Sequence, residues 1–123
     1  GKLIDSINYP KHKIEKRGYL IELLHDFDLG HLADKLNESN DWGNVLSMGE
    51  QQRIAIIRAI LHKPVVAIMD EPTSSMDKEN ESKTLDLLFK HLKNTVFLVI
   101  SHSTEVKKYF DKVVDLKALA GSK

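Results

Sequence analysis

Apolar residues recur along this chain with two different patterns, and the change between them divides it. Between Ile14 and Phe27, the positions Leu20, Leu23, Leu24 and Phe27 fall at i, i+3, i+4 and i+7, one face of an α-helix. Gly18 weakens the first turn of that helix. A second, short helix is expected near His31 to Leu36. Asn37 to Asn44, N-E-S-N-D-W-G-N, lacks any such period and reads as a polar loop, with Trp42 as the packing residue that anchors it. From Ser47 the helical period returns. Ile54, Ile57 and Leu61 form the expected buried stripe of a helix running to about Leu61, and Lys63-Pro64 stops it. Ser47 and Glu50 have the S-x-x-E spacing of a capping box at its start.

Beyond Pro64 the pattern changes. Val65 to Met69 and Val96 to Ile100 are short continuous apolar runs whose length and valine content suit strands buried on both faces, as in a parallel sheet. Between them, Leu85, Leu88, Phe89 and Leu92 stripe one face of a helix expected over Lys78 to Leu92, which Asp77 is placed to cap. Strand, helix and strand make a βαβ unit with a right-handed crossover. Val106, Tyr109 and Phe110 suggest a short helix, and Val113 to Leu116 a third strand. Residues 1–12 read as a loop or short helical turn, because Pro10 disfavours helix through Tyr9. The tail A-L-A-G-S-K reads as frayed. The predicted fold class is therefore α/β, with a helical part over about 11–62 and a partial parallel-sheet core over about 63–119.

Composition narrows the function classes only a little. The 123 residues are 41% hydrophobic and 29% charged, ordinary for one soluble domain. A net charge of zero gives no bias toward polyanions, so no nucleic-acid partner is expected. There is no cysteine, so no disulfide framework, and a reducing compartment is compatible. No apolar run approaches the roughly 18 residues that span a bilayer, and no signal-peptide pattern opens the chain. His12, His25, His31, His62 and His91 lack metal-ligand spacing.

The residues that invite chemistry lie at the ends of the two strands. Asp70 and Glu71 close the first, and His102 stands just past the second, at the edge where open α/β sheets bind ligands. Two adjacent carboxylates at the end of a buried strand are costly to leave unpaired, and a divalent cation would offset that cost. Taken alone, an acid pair capping a loop and a single loop histidine would be unremarkable.

Four motifs in one order lift them out of that reading. Leu46-Ser47-Met48-Gly49-Glu50 resembles the signature motif of ATP-binding cassette (ABC) ATPases, usually Leu-Ser-Gly-Gly-Gln. Val65 to Asp70, with Glu71 following, resembles their Walker B strand. Ser74-Ser75-Met76-Asp77 resembles their D-loop, and Val99-Ile100-Ser101-His102 their switch histidine. The resemblance implies a partial P-loop NTPase fold with parallel core strands plus part of the helical signature subdomain. It implies ATP hydrolysis driving transport, with ATP and Mg²⁺ as cofactors. Asp70 would hold Mg²⁺ through water, Glu71 would polarise the attacking water, and His102 would contact the γ-phosphate or that water. Ser47, Met48, Gly49 and Glu50 would close over ATP held by a second cassette, and Asp77 would lie at the dimer seam. Met48 stands where the family usually has glycine, bringing a side chain into a crowded turn. Glu50 stands in place of glutamine, and a capping box would turn its charge back onto its own backbone. Gln51, Gln52 and Arg53 extend the likeness, their modest reading being a solvated first turn plus a salt-bridge donor.

The family's phosphate-binding pattern G-x-x-x-x-G-K-[ST] is absent, and Gly1-Lys2 is followed by Leu3, not by a hydroxyl residue. The chain is thus expected to match about the C-terminal half of a cassette and to be inactive alone. The implied partners are a second cassette and a transmembrane domain outside this chain, at the cytoplasmic face of a membrane. The ending Asn8-Tyr9-Pro10 looks most like subfamily D cassettes and related bacterial exporters. Two rival readings are a non-transport ABC ATPase acting in DNA repair or translation, and a non-enzymatic dimerisation module. The absence of coiled-coil heptads disfavours the repair type. Retention of Glu71 and His102 disfavours the dimerisation module.

Overall fold

Leu20, Leu23 and Leu24 are fully buried on one face of helix α2 (Arg17–Asp26), and Phe27 continues that face beyond its end, so the helical period places the core as expected. The computed structural model describes residues 1–8 and 17–110. The start of the expected helix at Ile14, the strand over Val113 to Leu116 and the C-terminal tail lie outside the described residues. Around α2 pack α1 (Leu3–Asn8), a 3₁₀ helix (Gly30–Lys35), the single-turn α3 (Trp42–Val45) and the long α4 (Met48–His62).

Of the two alternatives for the start of the chain, loop or short helical turn, the structure takes the helical one over Leu3–Asn8. Leu3 and Ile7, one turn apart, are buried at 1% and 0% exposure, and α1 packs on α4. The stretch Asn37 to Asn44 is more ordered than a polar loop. Ser39 forms an antiparallel bridge with Lys2, and Trp42 opens α3. Trp42 does anchor this stretch: its ring is buried and its Nε1–H donates to the Glu38 carbonyl at 3.1 Å.

On α4 the buried residues are Ile54, Ile56, Ile57 and Ile60, whereas Leu61 is only half-buried. The apolar face is broader than the stripe foreseen because α4 packs against α1, α2 and α5 at once. Lys63 ends it in the left-handed conformation, φ 46°, its N–H bonded to the Ala59 carbonyl.

Strands β1 (Val66–Asp70) and β2 (Val96–Ile100) are parallel and in register from Val66↔Val96 to Asp70↔Ile100. Helix α5 (Lys78–His91) connects them and covers one face, with Phe89 edge-on to Phe97 at 4.9 Å. A short helix, α6 (Thr104–Lys107), follows β2. The strands are not buried on both faces. Ala67 points inward at 8% exposure, but Val66, Ile68, Val96, Leu98 and Ile100 are between 47% and 74% exposed. Paired residues of a parallel ladder share a face, and among the described residues no element lies on this one.

Candidate functional site

The site begins where the two strands end side by side. Glu71 donates its N–H to the Ile100 carbonyl at 2.7 Å, extending the ladder one residue past β1. It then turns into the left-handed region, φ 47°, a conformation that costs a non-glycine residue about 1–2 kcal/mol. Neighbours hold it there. The Glu71 carbonyl accepts from the Ser74 N–H at 3.3 Å and from Gln52 Nε2 at 3.2 Å. This turn aims the Glu71 side chain at His102 on the neighbouring strand's exit, with Oε1 3.7 Å from Nε2. That separation is a near approach and not a hydrogen bond. The His102 ring is 99% exposed, free to meet a ligand, while the Glu71 side chain is 32% exposed.

Asp70 is exposed, so the anticipated cost of two buried carboxylates does not arise. The reason is the uncovered sheet face, on which Asp70 is paired with Ile100. A cleft of about 550 Å³ opens between α4 and β1, lined among others by Gln52, Arg58, Met69, Asp70, Glu71 and Pro72. Carboxylate oxygens at an open cleft are the donor chemistry Mg²⁺ takes, usually one or two carboxylates completed by phosphate and water. Asp70 and Glu71 fit that role. They do not form a self-sufficient cage, since no group of three or more His, Cys, Asp or Glu suited to a metal occurs among the described residues.

The turn before α4 forms the capping box read from the sequence. The Glu50 N–H donates to Ser47 Oγ at 3.1 Å, and the Ser47 N–H donates to Glu50 Oε1 at 2.9 Å. The other carboxylate oxygen, Oε2, is 2.9 Å from His31 Nε2. The bond from the Ser47 backbone holds the Glu50 carboxyl below its ordinary value. Partial burial opposes this, and His31 and the Ser47 hydroxyl act with it. Met48 does not crowd the turn; it is 61% exposed and points away. Gly49 lies against the Ser75 carbonyl, which a Cβ would meet at an ordinary 3.6 Å. Asp77 caps α5, its Oδ1 accepting the Asn80 N–H at 2.8 Å.

Gln51, Gln52 and Arg53 are not a solvated first turn. Gln51 donates to the carbonyls of Gly43 and Leu46, and Arg53 to those of Gly49 and Phe27. Arg53 therefore satisfies backbone acceptors where a salt bridge was foreseen. Gln52 ties α4 to the turn after β1: Nε2 donates to Ser74 Oγ at 2.9 Å, and Oε1 accepts the Ser75 N–H at 3.0 Å. Sequence reasoning missed this role, along with those of Thr73, Glu81 and Ser103, because hydroxyl and amide side chains leave no periodic trace.

Comparison with known proteins bears on this geometry. The family model described as ABC transporter matches residues 4–74. A Haemophilus influenzae protein named as an uncharacterized ABC transporter ATP-binding protein is 40% identical over 87% of this chain, which spans 18% of that relative. The Escherichia coli inner membrane ABC transporter ATP-binding protein YddA is 34% identical over 81% of the chain, 18% of its own length. ABC transporter D family member 3 of Dictyostelium discoideum is 38% identical over 89% of the chain, 16% of its own length. The chain thus spans less than a fifth of each of these relatives.

Proposed function

This chain belongs to the ABC transporter family, and on that premise we propose that it contributes the hydrolytic edge of an ATP-driven transport cassette. The observation that carries the reading is the meeting of Glu71 and His102 at 3.7 Å beside Asp70, at the C-terminal end of two parallel strands. In this role Glu71 orients a water and accepts its proton, and the left-handed turn fixes where its carboxylate points. The exposed His102 imidazole holds a ligand oxygen across from it. Asp70 would hold Mg²⁺, which when bound would supply charge neutralisation for the phosphates.

Ser47, Met48, Gly49 and Glu50 would face the nucleotide of a second cassette, and Asp77 the seam between the two. Support for this comes from Gln52, which links that turn to Ser74 and Ser75. The positive end of α4 favours an anion there, and the capping box keeps the Glu50 charge on its own backbone. Two further parts of the reading follow the relatives, one of which is named as an inner membrane protein. The chain would work at the cytoplasmic face of a membrane, and a transmembrane domain would be supplied from elsewhere. No helix among the described residues is long and apolar enough to cross a membrane. Without a G-x-x-x-x-G-K-[ST] loop to cradle phosphates, the chain by itself is expected to leave ATP unhydrolysed.

The test is Glu71→Gln in a complete cassette built around this chain. The amide keeps the shape but cannot take the proton, so ATP binding persists and turnover stops. Hydrolysis near the wild-type rate would remove Glu71 from the mechanism.

A further inference from the structure

Among the described residues, Glu81 is the only charged side chain in the buried class, at 6% exposure. It lies in the first turn of α5, its N–H bonded to the Asp77 carbonyl at 2.8 Å. A buried carboxylate is costly unless its oxygens are hydrogen-bonded, and each oxygen of Glu81 has a partner. Oε2 accepts the hydroxyl of Thr73, itself 2% exposed, and Oε1 accepts the hydroxyl of Ser103 at 2.8 Å.

The two hydroxyls come from different loops. Thr73 belongs to the turn that follows Glu71, where its carbonyl accepts the Met76 N–H at 3.1 Å. Ser103 directly follows His102 and caps α6, its Oγ accepting the Val106 N–H at 3.3 Å. One carboxylate therefore joins the loop carrying Glu71 to the loop carrying His102. The joined loops close a ring. Glu71 and His102 face each other across it, and the Glu71 N–H to Ile100 carbonyl bond braces it. Bonds from hydroxyls to an ionised carboxylate are stronger than those between neutral groups, and two on one rigid carboxylate fix the relative position of their donors.

We propose that Glu81 is a positioning residue: by holding Thr73 and Ser103 together it sets the separation of Glu71 and His102 and transmits a displacement of one loop to the other. Its structural part stands on this geometry alone; its consequence for turnover rests on the catalytic reading of Glu71 and His102.

NMR on the full chain tests the structural part. Thr73→Val and Ser103→Ala each delete one hydroxyl with little change in buried shape. Thr73→Val is expected to move the resonances of His102 and Ser103, and Ser103→Ala those of Glu71 and Thr73. In a Glu81→Ala background both cross-loop effects disappear. Absence of cross-loop shifts in the single variants, or their persistence without Glu81, overturns the proposal. If Glu81→Ala does not fold, additivity decides. Two hydroxyls acting through one carboxylate give a double variant whose shifts differ from the sum of the singles, and strict additivity overturns it.

In a complete cassette, Glu81→Ala is expected to lower kcat about tenfold or more with KM for ATP changed less than about twofold, since misplacing reacting groups by about 1 Å can cost that much or more. Glu81→Gln, which can accept one hydroxyl and donate to the other, restores part of the loss. An unchanged kcat in Glu81→Ala, or no rescue by glutamine, overturns the functional consequence. Should Glu71→Gln leave hydrolysis intact, the catalytic reading fails, and the NMR result still decides whether Glu81 couples the loops.

Discussion

The helical region and the sheet region of this chain use equally apolar residues to opposite ends. In the helical region Leu3, Ile7, Leu20, Leu23, Leu24, Ile57 and Ile60 are all at 1% exposure or less. In the sheet region Val66, Ile68, Val96, Leu98 and Ile100 stand at 47–74% exposure on one face. In the first region α1, α2 and α4 bring stripes that meet in the middle, where Leu88 and Leu92 of the α5 segment join them. The second has a helix on one side only. Fully burying such a side chain contributes about 1.5–3 kcal/mol, so the open face withholds from the sheet a stabilisation that the helices already have. The candidate chemistry sits on this less supported region, and Gln52 and Glu81 are what fasten its loops.

The difference can be pressed by matched substitutions. Ile57→Ala, at a position with no exposure, is expected to cost about 2–5 kcal/mol in urea unfolding. Ile68→Ala, at 74% exposure, should stay within about 0.5 kcal/mol. Equal losses would mean that the sheet face is covered in solution. A smaller effect is expected at the helical region's edge. Ser47→Ala removes the cap of α4 and should cost about 1 kcal/mol, leaving the exchange rates of β1 and β2 amides unchanged. A parallel loss in the strands would show that the two regions unfold as one.

The smallest effect is a dependence on pH. Glu50 is held below its ordinary value, first by the Ser47 N–H, so the unfolded chain binds this proton more readily than the folded one. Its contribution to stability is present above the unfolded value and is lost as pH falls through the folded one. Acid should therefore loosen the start of α4 before it affects the strands. Glu50→Gln should flatten that part of the stability profile in a denaturation series between neutral and acid pH. An unchanged profile would remove Glu50 as its source.

Much of this was legible in the sequence because it is periodic or local. The stripe Leu20, Leu23, Leu24, Phe27 gave α2, and S-x-x-E over Ser47 and Glu50 gave the capping box with both of its bonds. The order of the motifs gave the family. What stayed hidden depends on contacts distant in sequence. Leu3 and Ile7 leave loop and short helical turn equally open until α4 lies beneath them. A continuous apolar run such as Val65 to Met69 is identical in sequence whether one face or both are covered, so the run by itself does not show which face leaves Ile68 exposed. Glu81 reads as an ordinary acidic residue in a helix's first turn, and only the return of β2 beside β1 brings Ser103 to it.

Native-state hydrogen exchange measures the contrast most directly, because it reads the opening free energy of each region separately. Amides of α2 and α4, such as those of Leu24 and Ile57, are expected to exchange only through global unfolding. Amides of β1 and β2 should exchange through smaller openings that leave the helical core closed. Protection of the strands equal to that of α2 and α4 would contradict the claim that the site is carried by the less supported region.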